Sequence, residues 1–176
     1  MDGKLSIELL EITSVNIHAL QQLSEKTFVE SFGAQNTDAN LQLYLSEYLT
    51  YHRLFDEINN PDAQFYFVKI GLNAVGYLKV NFSTAQTDIK DDNGLEIERI
   101  YVLKDYQNMK IGQLLFDKAL QIAKDTNMQY LWLGVWEKNL KAINFYKRNG
   151  LIEFGTHMFK LGEDEQTDIL MKKELQ

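Results

Sequence analysis

The sequence predicts an α/β fold of the α+β type, with a mixed and mostly antiparallel sheet of about seven strands and about four helices. Three observations favour this fold class. Segments with apolar residues at every third or fourth position occur beside segments in which apolar and polar residues alternate. Gly-Leu-Asn at 71–73 and Asp-Asp-Asn-Gly at 91–94 mark turns between strands. A strand, a helix of about fifteen residues and another strand follow residue 95, and such a unit implies a right-handed parallel crossover.

The N-terminal half contributes a strand, two helices and a hairpin. We expect these elements at 5–12, about 15–31, about 38–58, 65–70 and 74–82. The second helix is indicated by apolar residues at helical spacing, including Leu41, Leu45 and Leu49. The two hairpin strands flank the 71–73 turn.

The C-terminal half completes the predicted order βααβββαβαββ. We expect strands at 95–102, 130–136, about 151–159 and 166–173, with helices at about 111–126 and from Asn139 to Arg148. Strand 130–136 is almost wholly apolar, which is typical of a central strand covered on both faces. Asn139 is a favourable N-cap for the last helix, and Gly150 stands where a left-handed C-terminal cap belongs.

Composition narrows the function classes. The chain has 25 acidic and 18 basic residues, a net charge of −7, which argues against a nucleic-acid binder and favours neutral or cationic partners. It contains no cysteine, which excludes disulfides and cysteine-containing zinc sites. The three histidines show no ligand spacing, so we expect no metal. Without a signal-peptide pattern or an apolar stretch of membrane-spanning length, we expect one cytoplasmic domain over 1–176, with no membrane association.

Strand 95–102 contains a phase error. Leu95 and Ile97 alternate with glutamates, but the next apolar residues run consecutively from Ile100 to Val102. Because side chains in a strand alternate between faces, the register slips near Arg99. A β-bulge would produce that slip, and a strand end buried on both faces would produce the same pattern.

The segment Gln107–Gln113 joins this strand to the following helix. Amides in the first turn of a helix have no internal partners and lie at the positive end of the helix dipole, so they suit an anion. The segment matches neither GxxxxGK[ST] nor GxGxxG, the better-known phosphate loops. Taken alone, it is more consistent with a plain connection than with a phosphate site.

Two motifs, read together with the element order, resemble the GNAT superfamily of acetyl-CoA-dependent N-acetyltransferases. Gln107-x-x-Lys110-x-Gly112 matches the family's first cofactor motif except that lysine replaces its first glycine. Asn139-x-x-Ala142-x-x-Phe145-Tyr146-x-x-x-Gly150 resembles the second cofactor motif at full spacing. The segments LEIERIYV, WLGVWEKN, AINFYKRNG and EQTD resemble the PaiA-type spermidine/spermine N-acetyltransferases. The resemblance covers nearly the whole chain and implies that the two parallel strands splay apart.

The resemblance implies acetyl-CoA as the acetyl donor. Its pyrophosphate would bind backbone amides near the 107–113 turn, and pantetheine would pair with strand 95–102 in the gap between the splayed strands. The implied cofactor-binding residues are Ile100, Tyr101, Val102, Gln107, Asn108, Met109, Lys110, Ile111, Gly112, Gln113, Asn139, Ala142, Phe145 and Tyr146. If the backbone of Lys110 requires a positive φ, its side chain costs about 1 kcal/mol, whereas a helical φ would tolerate it.

Acetylation of an amine needs a base for the nucleophile and an acid for the departing thiolate. Glu98 is the candidate base, because a glutamate at the matching position is proposed for this role in related polyamine acetyltransferases. Glu96 is the alternative, since it lies two residues away on the same face of an unbulged strand. Tyr146 is the candidate acid, because phenol and thiol pKa values lie within about two units of each other.

The resemblance further implies a small-molecule cationic amine as acceptor, most simply a polyamine such as spermidine or spermine. Glu30, Glu96 and Glu137 are candidate substrate-binding carboxylates, with Glu25 and the acidic run 163–165 as further candidates. A protein amine, an amino acid or a drug-like amine is an alternative acceptor. A non-catalytic CoA-binding regulatory module is an alternative of another class. The oligomeric state stays open, with a homodimer among the expected assemblies.

Overall fold

The computed structural model describes residues 6–175, which form one seven-stranded sheet with helices on both faces. The strands are β1 (Ile7–Glu11), β2 (Ala63–Ile70), β3 (Asn73–Asn81), β4 (Gly94–Val102), β5 (Tyr130–Trp136), β6 (Ile152–Leu161) and β7 (Asp164–Glu174). The α-helices are α1 (Ile17–Phe32), α2 (Asp38–Tyr48), α3 (Tyr51–Ile58), α4 (Ile111–Asp125) and α5 (Leu140–Arg148). A six-residue 3-10 segment, Lys104–Met109, joins β4 to α4. Leu5, with which the first predicted strand begins, lies outside the described residues.

The strand order is β1-β2-β3-β4-β5-β7-β6. Every neighbouring pair is antiparallel except β4 and β5, which are parallel and connected through α4. The predicted fold class and the parallel crossover are therefore confirmed. β4 and β5 pair only from Gly94 with Tyr130 to Glu96 with Trp132. Beyond that point the two central strands separate, which leaves a gap in the sheet.

The prediction of about four helices was wrong in one place, because the segment predicted as a single helix at 38–58 contains two. α2 ends at Tyr48, and Thr50 adopts an extended conformation that starts α3. The Thr50 side chain accepts a hydrogen bond from the backbone N–H of Arg53. Threonine is a favoured N-cap because its hydroxyl satisfies an amide that the helix leaves free. The helical spacing of apolar residues continues across this break, so periodicity alone did not reveal it.

Each face of the sheet has its own hydrophobic core. α4 and α5 cover one face, which we call the α4 face, and its core includes Leu95, Ile97 and Leu115. The helices α1 to α3 cover the opposite face, the α1 face, and its core includes Leu20 and Tyr77. The gap between β4 and β5 therefore opens towards different surroundings on its two sides.

A β-bulge in β4 fixes which side chains reach the gap. In the pairing with β3, Arg99 lies opposite Lys79 and Ile97 lies opposite Val80, so Glu98 is the additional residue. The register slip predicted near Arg99 is confirmed, and of its two explanations the structure contains the bulge. As a result Glu98 and Arg99, although adjacent in sequence, both reach groups on the α1 face.

Candidate functional site

A cleft of about 910 Å³ lies where β4 and β5 separate. One wall carries the turn before α4 together with α5, and the other carries α1, α2 and the β6–β7 hairpin. Beyond Trp132, β5 pairs with β7 on its far side and has no β4 partner on its near side. The cleft therefore presents two strand edges that an extended, hydrogen-bonding ligand can join. Ile100, Tyr101 and Val102, predicted to supply such bonds, line it.

The turn before α4 lies at the cleft, as expected for an anion site. Five of the predicted residues line it: Gln107, Asn108, Lys110, Gly112 and Gln113. The other two do not: Met109 is 45% exposed and Ile111 is fully buried in the core of the α4 face. The Gln107 amide donates to the Val102 carbonyl and accepts from the Lys141 ammonium at 2.8 Å, which closes the turn.

Lys110 adopts the left-handed conformation, with φ of 60°. Of the two conformations considered for it, this is the one that disfavours a side chain, by about 1 kcal/mol. A left-handed residue between a 3-10 segment and a helix turns successive backbone N–H groups towards one point, which makes an anion-binding concavity. The cost at Lys110 therefore accompanies a geometry that suits phosphate oxygens.

α5 forms the wall next to this turn. Asn139 caps the helix, because its side-chain oxygen accepts from the backbone N–H of Ala142 at 3.2 Å. Ala142, Phe145 and Tyr146 line the cleft with it, so the second motif forms one continuous surface. The Tyr146 side chain is 93% buried, and within residues 6–175 its hydroxyl has no hydrogen-bond partner. Burial raises the pKa of Tyr146 above its usual value, so the hydroxyl is protonated, and its pKa lies further from that of a thiol than the ordinary phenol pKa on which its prediction as the acid was based.

Glu98 lies in a network of buried charges on the α1 face. Its carboxylate contacts the Lys79 ammonium at 2.5 Å and the Arg99 guanidinium at 3.0 Å. Arg99 in turn makes a two-pronged ion pair with Glu57 of α3, at 2.8 and 3.0 Å. Burial alone would raise the pKa of Glu98, but Arg99 and Lys79 outweigh it and lower the pKa to about 2. Glu98 is therefore a firmly ionised carboxylate with low proton affinity.

Glu96 is 97% buried beside Glu98. It accepts hydrogen bonds from the backbone N–H and hydroxyl of Thr87 and from the side-chain amide of Asn81. The same Asn81 amide donates to Glu98 at 2.6 Å. Burial raises the pKa of Glu96, against these hydrogen bonds. All of these contacts are internal, so Glu96 acts as a structural link between β3, β4 and the segment that joins them.

A smaller pocket of about 170 Å³ adjoins the cleft on the α1 face. Its acidic groups are Asp88, Glu96, Glu98 and Asp168, and His157 joins them from β6. Asp88 pairs with the imidazole of His157 at 3.0 Å. Asp168 lines both the smaller pocket and the main cleft. This side of the gap is therefore dominated by carboxylates.

Aromatic side chains complete the α1-face side of the cleft. Phe28 stacks on Tyr44 with ring centroids 4.0 Å apart, and Phe32 lies 5.8 Å from the ring of Trp136. Phe159 of β6 lines the same space. Aromatic rings accommodate both methylene chains and cations. The surface therefore suits a ligand that alternates apolar and positively charged parts.

Two other predicted substrate carboxylates do not line the cleft. The Glu30 carboxylate accepts from the backbone N–H of Lys104 at 2.8 Å, so it caps the start of the 3-10 segment. Glu137 is exposed just beyond the end of β5. Of the further candidates, Glu25 accepts from Gln21 and the run 163–165 is exposed at the β6–β7 turn. Of the three named substrate carboxylates, only Glu96 reaches the pocket.

Sequence reasoning assigned no role to three residues that line the cleft, Trp136, Gln166 and Asp168. The indole N–H of Trp136 and the side-chain oxygen of Gln166 are buried without a hydrogen-bond partner among residues 6–175. Such groups are available to a bound ligand. All three lie in WLGVWEKN or EQTD, two of the segments that resemble the PaiA-type acetyltransferases. This resemblance was the one signal in the sequence that pointed to them.

Two classes of feature are absent from the described residues. In 6–175 no three His, Cys, Asp or Glu side chains are grouped so that they could hold a metal ion. Within the same range, no helix has the length and apolar character needed to cross a membrane.

Comparison with known proteins shows which family and which relatives the chain is similar to. A family model described as the acetyltransferase (GNAT) family matches residues 18–151. An uncharacterized N-acetyltransferase in the pepI 3′ region of Lactobacillus delbrueckii subsp. lactis is 38% identical over 169 residues, 96% of this chain and 98% of that protein. A spermidine N(1)-acetyltransferase from Thermoplasma acidophilum is 21% identical over 173 residues, 96% of this chain and 98% of that protein.

Solved structures share the whole fold. The PaiA N-acetyltransferase from Thermoplasma acidophilum, crystallised with coenzyme A, superposes with a TM-score of 0.80 at 20% identity, covering 97% of this chain and 99% of that one. A probable acetyltransferase from Staphylococcus epidermidis superposes with a TM-score of 0.76 at 14% identity, covering 97% and 100%. At these identities the similarity establishes the fold.

Proposed function

The chain belongs to the GNAT family of acetyltransferases, and we propose that its acceptor is a polyamine such as spermidine or spermine. As a member of that family it transfers an acetyl group from acetyl-CoA to an amine. The part of the cleft on the α1 face, together with the smaller pocket, is called the acceptor side. The observation that carries the polyamine assignment is that carboxylates and aromatic rings lie together there.

The wall formed by the turn before α4 and by α5 is called the donor side, and its residues fit acetyl-CoA. The concavity at Lys110 suits the pyrophosphate, and the unpaired edges of β4 and β5 suit the amide-containing pantetheine arm. The donor supplies a thioester carbonyl and a thiol leaving group. Lys110, Lys141 and Arg148 add positive charge on the same side of the cleft. We propose that these residues bind and orient the donor so that its thioester lies at the gap.

Tyr146 is the proposed acid. Its hydroxyl lies on α5 at the cleft, stays protonated because burial raises the pKa, and has no competing partner in the described chain. A phenol held in this way can give its proton to the departing sulfur. Glu98, proposed from the sequence as the base, lies on the opposite side of the gap. Because Glu98 is paired with two cations, it is better suited to contribute its negative charge than to take up a proton.

A polyamine satisfies both features of the acceptor side. Its ammonium groups suit the net negative charge of the smaller pocket and the carboxylate of Asp168, which is unpaired within residues 6–175, and its methylene segments suit the aromatic wall. A ligand with one amine group would contact only part of this surface. The relative from Thermoplasma acidophilum, a spermidine N(1)-acetyltransferase that aligns over 173 residues, adds support for the same acceptor class.

The test is release of free thiol from acetyl-CoA with a panel of amines at fixed pH. The panel contains spermidine, spermine, a monoamine of similar chain length, lysine, an aminoglycoside and a peptide with a free N-terminus. We expect kcat/KM for spermidine and spermine to exceed that for the monoamine by about tenfold or more, because at least one additional ion pair forms in a partly desolvated site.

A matched measurement isolates the donor side. Acetyl-CoA at saturating concentration should raise the Tm by mass action on the folded state, whichever amine is used. A higher kcat/KM for the peptide or the aminoglycoside than for both polyamines would overturn the polyamine assignment. It would leave the family membership and the donor unchanged.

A further inference from the structure

Asp168 occupies a place in the cleft that differs from that of the other acidic groups. It lies in β7, opposite Trp136 of β5, at the level where β5 has already separated from β4. Its diagonal neighbour on the adjoining strand β5 is Gly134, where a Cβ would lie 3.3 Å from the Asp168 carboxylate. The absence of a side chain at Gly134 therefore leaves the carboxylate open to the gap. Asp168 and Glu98 both line the main cleft and the smaller pocket, so both stand where the two meet, one on β7 and the other on β4.

The other carboxylates around the smaller pocket already have partners. Glu96 is held by Thr87 and Asn81, and Glu98 is paired with Lys79 and Arg99. Asp88 pairs with His157.

Asp168 has no such partner. Within the described chain, 6–175, its carboxylate makes no hydrogen bond or ion pair with another side chain, and His157, opposite it on β6, acts on it only through charge. A half-buried carboxylate without a partner is unfavourable for folding, and such groups occur where a ligand completes them.

We propose that Asp168 is the residue that receives the proton from the attacking amine. This inference rests on the proposed function, because it requires an amine acceptor in the cleft. The ammonium gives one proton to the Asp168 carboxylate, which passes it to solvent. The amine lone pair then forms the N–C bond at the thioester carbonyl while the C–S bond breaks. Tyr146 protonates the sulfur and regains a proton from the newly acylated nitrogen, so one proton is released per turnover.

The charge environment supports this assignment over Glu98. Burial raises the pKa of Asp168 to about 6, although the charge of His157 opposes the shift. The pKa of Glu98 is about 2, so Asp168 is the stronger base of the two. A base near pH 6 is ionised at neutral pH and still has useful proton affinity. The titratable and charged groups that surround it are His157 of β6, Asp88 of the β3–β4 segment, and Glu96 and Glu98 of β4.

The first experiment compares Asp168→Asn with wild type in thiol release, using the amine of the panel that gives the highest kcat/KM. We expect kcat to fall by roughly 10²–10⁴, as for removal of a positioned base. The acidic limb of the wild-type kcat/KM profile, centred near pH 6, should disappear in the variant. A structural role alone would leave the shape of that profile unchanged.

Two control variants are matched to it. Glu174→Gln makes the same charge change on the same strand, beside Tyr130 at the far end of β5, and should retain wild-type kinetics. His157→Gln removes the imidazole that lies opposite Asp168 and should retain the acidic limb. Disappearance of the limb in His157→Gln, with its retention in Asp168→Asn, would overturn the proposal.

A second variant tests the geometry without changing a charge. Gly134→Ala places a methyl group 3.3 Å from the Asp168 carboxylate, so it should lower kcat at least tenfold while acetyl-CoA still raises the Tm. Wild-type kcat in both Gly134→Ala and Asp168→Asn would overturn the role of Asp168, whichever amine is preferred. If wild type acetylates a peptide rather than a polyamine, only the proposed acceptor fails.

Isothermal titration of spermidine covers the case in which no amine is acetylated. At least tenfold weaker binding in Asp168→Asn would then support the contact, and equal or absent binding in both proteins would overturn it.

Discussion

The two sides of the cleft present different chemical groups. The donor side, formed by the turn before α4 and by α5, relies on backbone amides, one left-handed residue and cationic side chains at its rim. The acceptor side relies on carboxylates and aromatic rings that come from separate parts of the chain. The proposed phosphate-bearing donor and the proposed cationic acceptor would therefore reach the gap from surfaces of opposite charge.

The comparison explains why the donor side follows a sequence motif and the acceptor side does not. Apart from the edge of β5, every donor-side group lies within one of two short segments, 100–113 and 139–149, so its spacing is preserved in the sequence. The acceptor-side groups are brought together from α1, α2, β4, β5 and the β6–β7 hairpin. No local spacing relates them, because their proximity is a property of the sheet order.

Tyr146→Phe gives the largest expected effect and tests whether proton donation belongs to the donor side. Removal of one hydroxyl should lower kcat by roughly 10²–10⁴, with the ring contacts to Phe116 and Phe145 retained. The loss should shrink towards acidic pH, where solvent can donate. Steady-state thiol release measures it, and Tyr51→Phe on α3, 40% exposed and outside the cleft, serves as control. Wild-type turnover in Tyr146→Phe would remove the proposed acid and leave the cofactor assignment intact.

Arg99→Met tests whether the acceptor side depends on its buried charge network. The change leaves Glu57 and Glu98 with Lys79 as their one remaining buried cation, so we expect the free energy of unfolding to fall by about 3–5 kcal/mol. Arg53→Met removes a 48%-exposed arginine from the same Glu57 and should cost less than about 1 kcal/mol. Urea denaturation measures both. Equal losses would mean that burial of the network contributes nothing.

Asp168→Asn should stabilise the protein at neutral pH, although it removes activity. The folded-state pKa of Asp168 is raised to about 6 from a usual 3.8, so the folded state loses stability as pH rises through that range. Asparagine does not titrate, and after allowance for partial exposure we expect a gain of about 1–2 kcal/mol above pH 7. The gain should vanish below about pH 4. Denaturation at pH 4 and pH 7.5 measures the difference, and a pH-independent gain would contradict the charge as its cause.

Lys110→Gly gives the smallest expected effect and tests how far the donor side relies on backbone. Glycine relieves the left-handed strain, so stability should change by about 1 kcal/mol or less in the favourable direction. Affinity for acetyl-CoA should stay within about tenfold, because most of the proposed contacts are backbone amides. Lys90→Gly, at another left-handed lysine outside the cleft, is the matched control with unchanged affinity. A much larger loss in Lys110→Gly alone would make the lysine ammonium a principal phosphate ligand.

Particular residues mark how far prediction from sequence reached. The slip near Arg99 located the β-bulge, and Asn139 and Gly150 located both ends of α5. The break at Thr50 was missed because apolar spacing continues through it. The donor motif placed most of its residues correctly at the cleft, but the burial of Ile111 depends on how α4 packs against the sheet.

The sequence by itself determined the order of strands and helices except for the break at Thr50, the parallel crossover, the position of the register slip in β4 and the donor motif, because each depends on neighbouring residues and on backbone periodicity. Only the tertiary structure decided which acidic groups are paired with cations and in which direction their pKa values shift. Glu98 and Asp168 are both carboxylates, yet one meets two buried cations and the other meets a glycine and an open gap. Their pKa values of about 2 and about 6 follow from those neighbours. Arg99 is adjacent to Glu98 in sequence, but the bulge that brings both to the same face, and the approach of Lys79 and Gly134 from other strands, are fixed only when the sheet assembles.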